Sequence, residues 1–328
     1  MKLLRSKVVV IALCLLPLIP IWHFDYLPLQ DYPNHLARLS ILSNYAHSEF
    51  YRQHFSINFF EGISPLPYLT LDLFVAGLSH FLTVDAAMRV FICLYVLLYV
   101  FSLLLLSRDL KLDFGLLALL NLPLMYSSFF YFGFLNFIFS IPLFLLTLWA
   151  VQRYEERKTV ACILVIGILS LLMYLSHIFT LLLFLVFLLV FLFAGKLKIR
   201  DYLYLLIATL PSFVLSMNYL LLSTDYRPLN IVRYESVSRP LFYKIVLLTS
   251  PFSYLPFNIV ALYSLLYALA LYMVLRNSSI GTKSYLVFSV ILFLSYFALP
   301  LKAVNGHSID GYYIDVRVLL FSFILFPL

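Results

Sequence analysis

The chain has 328 residues, of which 64% are hydrophobic and 11% charged, and it carries a formal net charge of +7. So few charges do not cover a soluble particle of this length, which excludes an ordinary water-soluble globule. The basic excess does not indicate nucleic acid, because Lys and Arg stand in short clusters between apolar runs, the pattern of membrane topology signals.

The apolar runs do not alternate, so each is expected to satisfy its own backbone as a helix and not as a barrel strand. The fold expected is all-α: a polytopic transmembrane bundle of about ten spans, one domain over residues 1–328, judged against the ~20 residues a bilayer requires. Lys2, Arg5 and Lys7 lead into an apolar body, and Pro17, Pro20 and Trp22 precede no small-residue cleavage site, so 7–23 reads as an uncleaved first span. Further apolar segments follow at 66–82, 89–106, 114–130, 134–151, 159–175, 178–194, 203–222, 245–275 and 284–300, with a last one beginning near 316. That last run stops at Leu328, short for a span, which leaves open a continuation beyond it. Pro251 and Pro256 suggest that 245–275 is broken. Cys14, Cys93 and Cys162 lie inside apolar stretches with no metal or disulfide spacing and read as small buried side chains.

Residues 66–82 decide the sidedness. They follow Pro65 and carry Asp72 and His80, and an aspartate at the bilayer centre costs about 2.5–3.5 kcal/mol. If this segment dips in and returns, or lies in the interface, the loops holding Arg108/Lys111, Arg153/Arg157/Lys158, Lys196/Lys198/Arg200 and Arg276/Lys283 all join the N-terminus on the cytoplasmic side. If it spans, all of them move outside. Residues 24–88 are therefore expected to form one long external region with interfacial or re-entrant helices, ahead of the remaining spans over 89–328.

The densest polar motif opens that region: Asp31-Tyr32-Pro33-Asn34-His35-Leu36-Ala37-Arg38. A helix starting near Asp31 puts Asp31, Asn34, His35 and Arg38 at i, i+3, i+4 and i+7, on one face. A plainer reading stays open, in which Asp31 caps the helix, Pro33 fills its first turn, and His35 and Arg38 lie at a wet surface. The remaining polar positions fall on the same side. Gly133 suits a tight hairpin, while Asn136 either caps the next helix or reaches a ligand. His177 interrupts the run 159–194 and is either a paired structural histidine or a functional one. The loop 223–244 carries Asp225, Arg227, Arg233, Glu235 and Arg239, whose arginines suit lipid phosphates. The loop 302–317 holds His307, Asp310, Asp315 and Arg317. There Asp315 and Arg317 either cap and snorkel at a span mouth or join the site.

This layout resembles the GT-C class of integral-membrane glycosyltransferases, most specifically at Asp31 and His35, early in a long loop after the first span. Tyr32 stands where that class usually has an acidic neighbour. The resemblance implies transfer of a sugar from a polyprenyl-phosphate or diphosphate donor to a lipid, glycan or protein acceptor. It also implies an active site on the extracytoplasmic face of a bacterial cytoplasmic membrane, with Asp31 catalytic. Glycosyl transfer to a hydroxyl needs a base, which Asp31 supplies, and cations for the departing phosphate, for which Arg38, Arg317 and the loop arginines are candidates. Asn34, His35, Arg38, Asn136, His177, His307, Asp310, Asp315 and Arg317 make up the expected substrate-binding set, and the lipid tail would lie between spans. Asp31 with His35 offers a divalent cation two ligands, too few to define a metal site, so no cofactor is assigned. A transporter or flippase for a lipid-linked or polar solute is the alternative, and a non-catalytic scaffold the third. A transporter would place its ionisable groups at mid-membrane. No Walker, dinucleotide-glycine, His-Glu-x-x-His or paired-cysteine motif is present.

Overall fold

The computed structural model describes residues 7–61, 64–193, 198–222, 231–232, 242, 244–245, 247–252, 259–260, 265, 267, 269, 283–299, 302–305, 308–312 and 314–328. At 61, 64, 220–222, 231–232, 247, 283, 302–305 and 308–312 it describes the backbone alone. The described chain is predominantly helical. α1 (Lys7–Leu15) passes through a short 3-10 turn, Leu16–Leu18, into α2 (Ile19–His23), because Pro17 and Pro20 each remove a backbone donor. α3 (Tyr32–Asn44) and α4 (Glu49–His54) follow, then the antiparallel pair β1 (Phe60–Glu61) and β2 (Ser64–Pro65), then α5 (Thr70–Leu78).

α5 has nine residues, about 14 Å of helix against a ~30 Å hydrocarbon core, so the segment 66–82 holds no helix able to cross a membrane. The helices wholly within 24–88, α3, α4 and α5, are thus short and lie ahead of the long ones. α6 (Val84–Asp109) comes next, capped by the Thr83 hydroxyl on the Ala86 N–H. Then come α7 (Phe114–Met125), α8 (Ser128–Phe132), α9 (Leu135–Arg157), α10 (Val160–Ser176), α11 (Ile178–Phe193), α12 (Ile199–Leu222), α13 (Lys283–Ala298) and α14 (Ile314–Leu325).

Four segments are long and apolar enough to cross a membrane: α6, Phe114–Phe132 across α7 and α8, α9, and Ile199–Tyr219 of α12. Lys7–His23, Val160–Ser176, Ile178–Phe193 and Ser284–Ala298 are apolar but shorter. On α12, Leu203, Ile207, Leu210 and Val214 are exposed at i, i+4, i+7 and i+11, an apolar stripe that suits lipid and not water. α9 is the buried centre, packed on α6 and α10, and α10 packs in turn on α12. That last contact is close at Gly167, where a Cβ would stand 3.1 Å from the Ala208 carbonyl oxygen.

The helix ends sort into two groups. At one end Asp109 accepts from Trp149 Nε1 at 2.6 Å and pairs with Arg153 at 2.6 Å, and Lys158 reaches Asp201 at 2.8 Å. The basic residues Arg108, Arg153, Arg157 and Lys158 stand here. At the other end lie α3, the Phe132–Phe134 turn, the start of α5, His177 and the start of α14. The antiparallel sheet β3 (Ile231–Val232), β4 (Lys302–Asn305) and β5 (Ser308–Tyr312) pairs Ile231 with Val304 and Lys302 with Tyr312, so the loops 223–244 and 302–317 meet through their backbones. Most of 223–244, including Asp225, Arg227, Arg233, Glu235 and Arg239, lies outside the described residues, as does most of 245–275.

Candidate functional site

α3 starts as its sequence predicts, with Asp31 at the N-cap and Pro33 in the first turn. The Asp31 side chain does not cap, however. Its Oδ1 accepts from Asn34 Nδ2 at 3.3 Å, and no cation or backbone N–H among the described residues binds it. What fixes Asp31 is its backbone. Gln30 N–H donates to Tyr131 O at 2.9 Å and Asp31 N–H to Phe132 O at 3.0 Å. Gly133 supplies the close approach. Its φ is +80°, and a Cβ there would meet the Asp31 nitrogen at 3.0 Å and the Asp31 Cβ at 3.2 Å.

His35 closes the same turn. Its Nε2 lies 2.9 Å from the Gly133 carbonyl oxygen, which only accepts, so Nε2 carries the proton and Nδ1 is left to face Arg38 Nη2 at 3.5 Å. Burial, and then the Arg38 charge, lowers the pKa of His35 and keeps the ring neutral. With both ring nitrogens engaged, His35 is not placed as a metal ligand beside Asp31. Among the described residues no three His, Cys, Asp or Glu side chains gather as a metal site would require.

Arg38 Nη2 donates to Asp72 Oδ2 at 3.1 Å, with Arg38 half exposed and Asp72 buried. Burial pushes the Asp72 carboxyl up and the Arg38 charge draws it back. Asp72 was therefore a site neighbour hidden in the doubtful segment. The signal was there, since a lone aspartate in an apolar helix needs a cation. Asn136 does not cap its own helix. Its Oδ1 accepts from Leu71 N–H at 2.9 Å and its Nδ2 donates to Tyr68 O at 2.6 Å, so it caps α5, a helix distant in sequence, and each amide atom keeps one further hydrogen-bonding position. Tyr68 itself sits at φ 68°, a strained conformation for a bulky residue that no sequence signal announced.

The expected neighbours Asp315 and Arg317 do not act as a pair. Helical residues two positions apart point to opposite sides, about 200° around the axis. Asp315 is buried against Lys244 at 3.2 Å, and that Lys244 Nζ also donates to the carbonyls of Tyr296 and Leu299, so Asp315 belongs to a structural lock on the end of α13. Arg317 turns the other way. Its Nη1 donates to His177 Nε2 at 2.9 Å, and its Cζ stands 4.7 Å from the Phe137 ring centroid and 5.6 Å from that of Phe134. The bond fixes the His177 proton on Nδ1. Among the described residues, that N–H and the Arg317 Nε–H are both buried without a hydrogen-bond partner, and no carboxylate stands beside the guanidinium. Asp31 and Arg317 flank the same short turn, Asp31 on its Phe132 and Gly133 backbone and Arg317 on the Phe134 ring. His307 lies outside the described residues. Asp310 stands on β5 with its side chain outside them.

A cavity of about 380 Å³ opens beside the Asp31 turn, walled by Pro17, Pro20, Leu29, Pro123, Tyr126 and Tyr131. It follows from the proline break in the first helix and from the interruption between α7 and α8. Arg89, signalled in the sequence only by its i+4 spacing from Asp85, stitches its floor. The guanidinium pairs with Asp85 at 2.6 Å and donates to the carbonyls of Ile21, Phe24 and Asp25, while Tyr32 Oη donates to the other Asp85 oxygen at 2.6 Å. Compared with protein families, with curated proteins and with solved structures, the chain matches none.

Proposed function

We propose that the chain is a multi-pass glycosyltransferase of the GT-C kind, set in a bacterial cytoplasmic membrane by about ten spans. Its polar end faces outward, where it moves a sugar from a polyprenyl-phosphate or diphosphate donor to a lipid, glycan or protein hydroxyl. One observation carries the reading: the Asp31 carboxylate is held rigidly through its backbone yet has no cation among the described residues, next to an apolar cavity. A structural aspartate in such a place would be paired or capping, as Asp85 and Asp315 are.

In the proposed step the acceptor O–H gives its proton to Asp31 as its oxygen bonds to the anomeric carbon. The bond from that carbon to the lipid phosphate oxygen breaks, and the phosphate leaves with the electron pair. Arg38, half exposed across the α3 face, meets that developing charge first, and Arg317 offers a second cation behind the turn. The cavity beside Leu29 and Tyr131 suits the first units of the polyprenyl tail. His35 contributes by holding Gly133 under Asp31 and not by touching substrate.

The test is transfer from labelled polyprenyl-phosphate sugars by purified protein in detergent, with Asp31→Asn beside the wild type. Asparagine keeps the Asn34 contact and removes the base, so turnover is expected to fall by about 10²–10⁴ with unchanged thermal unfolding. Equal rates for the two proteins overturn the role of Asp31. No turnover with any donor, alongside solute counterflow in liposomes, transfers the reading to a transporter.

A further inference from the structure

We infer that the junction of α9 and α10, at the end of the bundle opposite Asp31, holds an anionic phospholipid by its headgroup. A second cavity of about 380 Å³ lies there, lined by Trp149, Arg153, Arg157, Thr159, Cys162 and Val165. Its walls are the apolar sides of two helices and its rim is cationic. Arg153 is occupied, paired with Asp109 at 2.6 Å and with Glu156 at 3.6 Å. Arg157 is exposed, and no ion pair is recorded for it among the described residues.

The surroundings say which anion fits. Below the rim, Ala161 and Val165 of the cavity wall, then Ile168 and Leu172, are exposed at i, i+4, i+7 and i+11, an apolar track down α10 beginning at the cavity. A free phosphate would use the rim and ignore the track. A zwitterionic lipid would use the track and bring its own cation against Arg157. An acyl chain joined to a net-negative headgroup uses both. Basic pockets between helices at a membrane surface suit such lipids, and α9 is long and apolar enough to end at that surface. The inference is independent of the glycosyltransferase reading, since it needs only a membrane and the opposite end of the molecule.

The experiment is native mass spectrometry of the full chain released from detergent, titrated with dioleoyl phosphatidylglycerol, dioleoyl phosphatidylcholine or inorganic phosphate. Phosphatidylglycerol is expected to stay bound preferentially. Arg157→Gln is expected to weaken its retention about fivefold, the share of one arginine near a surface, while the control Arg52→Gln at the far end leaves it unchanged. Equal retention of both lipids, an unchanged Arg157→Gln, or displacement of the lipid by phosphate alone each overturns the assignment. Because Arg157 is exposed, melting of the variant at the wild-type temperature separates loss of binding from loss of fold.

Discussion

At one end of the bundle Asp109 takes hydrogen bonds from Trp149 and Arg153 while Arg108 leans on it, and Asp201 holds Lys158. At the other end, among the described residues, the Asp31 carboxylate has only an amide beside it, and Arg317 and His177 each keep a buried N–H without a hydrogen-bond partner. Both ends use the same residue types in a largely apolar frame. The first satisfies its buried carboxylates within itself and leaves the exposed Arg157 to the surface, which suits an anchor. The second leaves valences open, which costs stability unless something arrives to fill them. Even within the polar end the contrast repeats, because Arg89 spends its guanidinium on a carboxylate and three carbonyls while Arg317 has an imidazole and aromatic faces.

The sharpest way to break this contrast is to remove each buried arginine in turn. Arg89→Met strands the carbonyls of residues 21–25 and frees the first helix, so thermal or denaturant unfolding should show a loss of about 4 kcal/mol. Arg317→Gln removes a charge that has no counter-ion among the described residues, so unfolding should stay at the wild-type level or improve, while turnover per folded molecule drops about 100-fold on the proposed reaction. If Arg317→Gln unfolds as easily as Arg89→Met and keeps its turnover, both arginines are staples and the polar end loses its open valence.

A smaller effect is expected at the basic end. Asp109→Asn leaves Arg153 with Glu156 alone and should cost about 2 kcal/mol in unfolding, with transfer rates unmoved. A change in rate there would couple the two ends and dissolve the division between them. The smallest effect belongs to His35. Its folded pKa lies below the ordinary 6.5, so the unfolded chain binds the proton more readily. The stability it contributes is present above that value and lost as the pH falls beneath it. His35→Gln keeps a donor for Gly133 O and cannot titrate, so its melting temperature should vary less with pH below 6.5 than the wild type's. Identical pH curves would remove His35 as a titrating element of the site.

Periodicity and punctuation were enough to foresee most of the long helices, though not the short strand pairs or the interruption between α7 and α8. Apolar runs broken by Pro17, Pro20 and Gly133 marked helix ends, because missing donors and positive φ act within a turn or two. The face carrying Asp31, Asn34, His35 and Arg38 followed from helical spacing, a property of neighbours along the chain. The partners did not follow. Asn136 caps α5 and not its own helix, Asp315 finds Lys244, and Arg317 finds His177, across separations of 65, 71 and 140 residues. Each of those pairings depends on which helix ends are brought together in three dimensions. Composition decided that this chain suits lipid, since so few charges leave no other way to bury its surface. Tertiary packing alone decided which charges were satisfied and which were left open, because a buried hydrogen-bonding group is answered by whatever the fold places within 3 Å of it.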